Sequence, residues 1–114
     1  MSDTIFHKII NKEIESEIIY EDELVIAISD INPVADIHIL VIPKKTIPKL
    51  SKADQKDKEL LGHMLLVCKE IAEIKNIAED GYRVVINNGE SAGQTVFQLH
   101  MHILGGRDFS WPPG

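Results

Sequence analysis

The sequence predicts an α+β domain: an antiparallel sheet of about five strands, one long amphipathic helix, and a short N-terminal helix. Three patterns carry this reading: short apolar runs bounded by turn residues, one long stripe at helical spacing, and no repeat, linker or low-complexity tract dividing the 114 residues. Over Thr4 to Ile10, the residues Ile5, Phe6, Ile9 and Ile10 fall at helical spacing behind Asp3 or Thr4 as a cap. Glu17 to Tyr20, Leu24 to Ile28 and Ile37 to Ile42 read as strands, with Asn32-Pro33 turning the chain and Pro43 ending the third. The long helix is expected from Ser51 or Asp54 to Lys75, with an apolar stripe of Leu60, Leu61, Met64, Leu65, Val67, Cys68, Ile71 and Ala72. Tyr82 to Ile86 and Val96 to Leu104 complete the sheet. The long helix should cover one sheet face, which leaves the other face or an edge for a site.

A single domain spanning residues 1–114 can build one core, and at this size an oligomer helps bury apolar surface. The formal charge of −6 argues against polymeric nucleic acid or an anionic membrane as partner, while a small nucleotide held by local contacts is allowed. The lone cysteine, Cys68, excludes an intrachain disulfide and fits a reducing compartment; its place among helical apolar residues makes packing its expected role. The N-terminus lacks a signal-peptide apolar core and no apolar run reaches membrane-spanning length. A soluble, cytoplasmic protein is therefore expected, with the nucleus also open to it.

Chemistry concentrates in Gln98-Leu99-His100-Met101-His102-Ile103. Alternate strand residues point the same way, about 7 Å apart, so Gln98, His100 and His102 are expected on one face. Phe97, Leu99, Met101 and Ile103 then anchor the other face to a core. Two adjacent imidazoles suit nucleophilic or acid–base work near neutral pH. They are equally a metal half-site, but zinc needs three or four ligands and His7, His38, His63 and Cys68 supply no metal spacing, so neither metal nor other cofactor is expected. The plain alternative is a solvated histidine face. Upstream, Asn87-Asn88-Gly89-Glu90-Ser91-Ala92-Gly93-Gln94-Thr95 is a loop whose glycines permit close approach of a ligand, and its place beside the histidines suggests a phosphate or other oxyanion.

The run Gly93-Gln94-Thr95-Val96-Phe97-Gln98-Leu99-His100-Met101-His102-Ile103-Leu104-Gly105-Gly106-Arg107, closed by Trp111-Pro112-Pro113-Gly114, resembles the histidine-triad (HIT) family in its Hint branch of purine-nucleoside phosphoramidases. Asp3-Thr4-Ile5-Phe6, Asp30-Ile31-Asn32-Pro33, His38 to Lys45 and Gly81-Tyr82-Arg83 match in order, so the likeness spans almost the whole chain. One position departs: Gln98 stands where the first triad histidine belongs.

The resemblance implies hydrolysis of adenosine and other purine nucleoside 5′-phosphoramidates and related nucleotidyl adducts, releasing AMP or another mononucleotide. It implies His100 as the nucleophile that forms a nucleotidyl-histidine, His102 as a hydrogen-bonding partner of the phosphoryl oxygens, and Thr95 as a hydroxyl near the leaving group. Asn87 and the backbone of Gly93 and Gln94 are implied at the phosphate, Asp30 at the ribose hydroxyls, and Ile31 beside the nucleoside. His38 is implied to extend a hydrogen-bond relay, and the Gln98 carbonyl to hold the His100 tautomer. Because an amide takes up no proton, Gln98 is expected to slow catalysis, and Gln98→His to raise kcat. A homodimer is implied too, with Trp111 reaching the partner's leaving-group pocket and a purine nucleotide such as AMP or GMP as ligand. The alternative function is a purine-nucleotide-binding regulatory module whose catalysis is weakened by Gln98.

Overall fold

The computed structural model describes residues 3–114. Thr4 opens the first helix, α1 (Ile5–Ile10): its hydroxyl accepts from the Phe6 and His7 amides, and its own amide donates to His7 Nδ1 at 3.0 Å. That box satisfies amides that the helix itself cannot, and it engages His7 in capping. Strands β1 (Ile18–Glu21), β2 (Val25–Ser29), β3 (Ile37–Pro43), β4 (Tyr82–Val85) and β5 (Met101–Gly105) form one sheet of order β1-β2-β3-β5-β4, antiparallel throughout.

Strand alternation sorts the side chains into two cores. On one face Val25, Ala27, Ile39, Val41, Met101 and Ile103 pack under α2 (Lys58–Ile74), which contributes Met64, Val67, Cys68, Ile71 and Ala72. On the other, Ile26, Ile28, Leu40 and Ile42 pack with Phe6 and Ile9 of α1. A six-residue helix covers only part of a five-stranded face. The uncovered part holds the candidate site.

Three expectations are corrected. The long helix begins at Lys58, not at Ser51 or Asp54, because Leu50–Lys52 and Gln55–Asp57 form separate 3₁₀ turns. The Asp54 carboxylate accepts from the Lys56 amide, and Asp57 accepts from the Asp54 amide while pairing with Lys45, so these side chains hold the backbone out of the helix. Leu65 does not join the core: it lies about 100° round the helix from Met64 and is exposed, as are Leu66 and Ile74. Strand β5 begins at Met101, not Val96. Extending its register past Val41↔Met101 would set Leu99 against Pro43, which has no N–H to give; the Leu99 amide instead donates to the Ile47 carbonyl at 2.7 Å.

Candidate active site

β3 and β5 place His38, Leu40 and His102 on the face turned away from α2, with Leu40 paired to His102 and His38 to Leu104. A cavity of about 640 Å³ opens there, and His38, His100, His102, Asp30, Ile31 and Thr95 all line it. Four separate stretches of the chain are thus brought together, with the β3–β5 pairing setting His38 and His102 side by side. Gln98 is not among them: the strand face expected to carry it beside the histidines ends at Met101.

The hydrogen bonds assign the imidazole protons. A carbonyl only accepts, so His100 Nδ1, 2.7 Å from the Gln98 carbonyl oxygen, carries the proton, and His100 Nε2 keeps a free lone pair. The Val34 amide donates to His38 Nδ1 at 3.1 Å, which leaves the His38 proton on Nε2. That N–H meets His102 Nδ1 at 2.9 Å and lies 3.3 Å from the Asp30 carboxylate. His102 Nδ1 therefore accepts, and the His102 proton sits on Nε2, a buried donor with no partner among the described residues. A lone pair on His100 and an unspent N–H on His102 stand side by side, ring centroids 5.0 Å apart.

Burial favours the neutral form of all three rings. It pushes His102 down to about 4, helped by repulsion from His100 and His38, with Asp30 opposing. Burial lowers His100, against the Gln98 carbonyl and Asp30, and lowers His38, again against Asp30. A buried neutral imidazole is a better nucleophile than a protonated one, and a neutral N–H still donates.

Asp30 Oδ2, His38 Nε2 and His102 Nδ1 lie within 4.8 Å of one another, the one potential metal cluster among the described residues. Two nitrogens bound to tetrahedral zinc sit roughly 3.3 Å apart. Here the two ring nitrogens stand 2.9 Å apart and share a proton, so the cluster is closed as a hydrogen-bond chain and does not fit a zinc ion as it stands.

The glycine loop is arranged differently from expectation. The Gly93 and Gln94 amides, expected at a phosphate, donate to the Glu90 and Gly89 carbonyls. The Gln94 side chain accepts from the Gly89 amide and donates to Pro48 and Val96, closing the loop on itself, and neither Gly93, Gln94 nor Asn87 lines the cavity. Trp111 is 82% exposed and does not dock on its own protomer. Sequence reasoning missed Phe6, whose ring stands edge-on to His100 with centroids 4.9 Å apart, and the Val34 amide. It also missed Ile9, Ile14, Glu15 and Ser16 at the cavity wall. Phe6 carried a signal, as an apolar helix residue, but that signal reads as core.

The family model of the HIT domain matches residues 11–109. An uncharacterized HIT-like protein of Synechocystis is 59% identical over 112 residues, covering 98% of this chain and 97% of its own. A 14 kDa zinc-binding protein of Zea mays is 53% identical over 115 residues, covering 99% and 89%. Among solved structures, a HIT family hydrolase of Legionella pneumophila superposes with a TM-score of 0.96 at 40% identity, covering 98% of this chain and all of that one. The family match, identities of 40 to 59% along nearly the full length and the superposition of the whole fold place the chain in the HIT family, with the fold of its hydrolases.

Proposed function

We propose that this protein hydrolyses purine nucleoside 5′-phosphoramidates and related nucleotidyl adducts through a nucleotidyl-His100 intermediate. The observation that carries the reading is the His100 tautomer: Nδ1 is held on the Gln98 carbonyl, so the Nε2 lone pair is the one free to attack. Attack on the α-phosphorus forms the P–Nε2 bond and breaks the phosphorus–nitrogen bond. The departing amine takes up a proton at the solvent-exposed Thr95 end of the site. Water then cleaves P–Nε2, releasing the mononucleotide and regenerating His100. The unspent His102 N–H is placed to bond a phosphoryl oxygen as negative charge grows on it, and the His38–His102 hydrogen bond fixes that ring's orientation. Asp30 accepts from the Asn32 amide through Oδ1 at 2.8 Å, and its position on the cavity wall suits the ribose diol.

Exposed Leu65, Leu66 and Ile74 on α2, and a Trp111 without a seat on its own chain, support a homodimer in which the tail meets the partner.

Mass spectrometry during turnover of adenosine 5′-phosphoramidate is the direct test. A nucleotidyl adduct on His100 is expected, and His100→Ala should abolish both adduct and turnover while AMP still binds. Turnover by that variant at the original rate overturns the mechanism. A wild-type protein that binds AMP yet forms no adduct and turns nothing over is the regulatory module instead.

A further inference from the structure

Ile9, Ile14, Glu15 and Ser16 line both the main cavity and an adjoining one of about 430 Å³ that none of the histidines lines. These four residues therefore mark where the main cavity runs into a compartment that no histidine lines. With the phosphate at the histidines and the ribose at Asp30, the base falls between the isoleucine walls at this end. Among the described residues, the hydrogen-bonding side chains shared by the two cavities are Glu15 and Ser16.

Glu15 is the ionisable one of the pair. The nearby cation that lines the adjoining cavity, Lys12, is engaged with Glu21 at 2.7 Å, and Lys44 reaches the same Glu21 at 2.8 Å. Among the described residues no salt bridge uses Glu15. An exposed glutamate is ordinarily a solvated surface charge. This one borders a compartment walled by Ile9, Ile14 and Ile18.

We propose that Glu15 reads the edge of the bound base and makes the site select guanine over adenine. The proposal rests on the nucleotide reading of the cavity given above. A carboxylate only accepts hydrogen bonds, through two oxygens. Guanine offers two adjacent donors on its Watson–Crick edge, N1–H and the 2-amino group, which match that pair. Adenine offers one donor, the 6-amino group, beside an N1 lone pair that faces the second oxygen and repels it. Hypoxanthine keeps N1–H and lacks the 2-amino group, so it ranks between them. The contact is charge-assisted but open to solvent, which sets the preference at about tenfold.

The test measures kcat/KM of the full chain for guanosine, inosine and adenosine 5′-phosphoramidates, together with Kd for GMP, IMP and AMP by calorimetry. The wild type should rank guanine, then hypoxanthine, then adenine, with about tenfold between the extremes. Glu15→Gln should bring the guanine-to-adenine ratio near one, because an amide offers a donor and an acceptor and serves either base. A wild-type ratio of one or below, or a ratio that Glu15→Gln leaves unchanged, overturns the proposal. The two readouts separate it from the reading beneath it. Hydrolysis of all three substrates at equal efficiency removes the Glu15 selection and keeps the hydrolase. A tenfold GMP preference, lost in Glu15→Gln, in a protein that hydrolyses none of them keeps the selection and removes the hydrolase.

Discussion

Gln98 is fully buried, and its side-chain amide bonds the backbone at three places along Pro43 to Ile47. Oε1 accepts from the Ile47 amide at 3.1 Å, while Nε2 donates to the Pro43 and Lys45 carbonyls at 2.9 and 2.8 Å. The side chain thus pins the segment after β3 beneath His100, while its backbone carbonyl sets the His100 tautomer. A neutral imidazole has one donor and one acceptor, so Gln98→His leaves a buried carbonyl unpaired, at a cost of about 1–3 kcal/mol. The expected outcome is a lower urea midpoint and a lower kcat, the reverse of what the triad pattern alone suggests; a raised kcat at unchanged stability would refute it. His102 yields a second prediction. Its folded value of about 4 lies below the ordinary 6.5, so between these values the unfolded chain binds the proton first. Its contribution is whole above pH 6.5 and is lost as pH falls toward 4, by something of the order of 3 kcal/mol. His100 and His38, also lowered, act in the same direction. Urea unfolding at pH 7.5 and 5 should show the loss, and His102→Ala should flatten the slope.

At the scale of elements, the long helix is tied to the sheet at a point remote from the active site. Asp22, in the β1–β2 turn, accepts from the Leu24 and Val25 amides at 2.8 and 2.9 Å, from the Tyr20 hydroxyl at 2.9 Å, and pairs with His63 of α2 at 2.7 Å. Burial works against its ionisation, but these partners outweigh it and hold the carboxyl at about 2. The same turn therefore ends one strand pair and fastens a helix. Asp22→Ala should destabilise the fold by about 1–3 kcal/mol in urea unfolding, with kcat little changed, since nothing in this cluster lines the active-site cavity. An unchanged urea midpoint would show the tie to be idle. Neither Asp22 nor His63 was legible as a pair: they lie 41 residues apart, and each reads locally as turn and helix surface. Cys68 was legible, because an apolar helical stripe predicts its burial, and burial pushes the thiol up to about 11.

For the whole molecule, the proposed dimer gives the tail a purpose. Trp111 presents a large apolar side chain to solvent, beside two prolines that restrict the backbone and lower the entropy lost on docking. Deleting Trp111 to Gly114 should leave a folded dimer that hydrolyses the simple phosphoramidate but discriminates less among bulky amine leaving groups. The decisive measurement mixes the deletion with a His100→Ala protomer. In that heterodimer the only working His100 lies on the truncated chain and the only tail on the inactive one. Restored selectivity places the tail across the interface; selectivity that stays lost removes it from there.

Periodicity determined that five strands and one long helix exist and that a buried face is paired with an open one, because apolar spacing of two or near 3.6 residues fixes which way side chains turn; where the long helix and β5 begin was set by side-chain and backbone contacts instead. The His-x-His pair marked the chemistry, since few side chains titrate near neutral pH. Tertiary structure decided the rest through contacts that no local spacing encodes. It set Phe6 against His100 across 94 positions, gave the Gln98 side chain three backbone partners on the segment around Pro43 to Ile47, and occupied the glycine-loop amides within their own loop. It also decided the proton on each ring. A histidine's tautomer follows from the partner of its other nitrogen; the family resemblance already implied the Gln98 carbonyl for His100, whereas the Val34 amide that sets His38, and through it His102, is a backbone group whose direction exists only once the chain has folded.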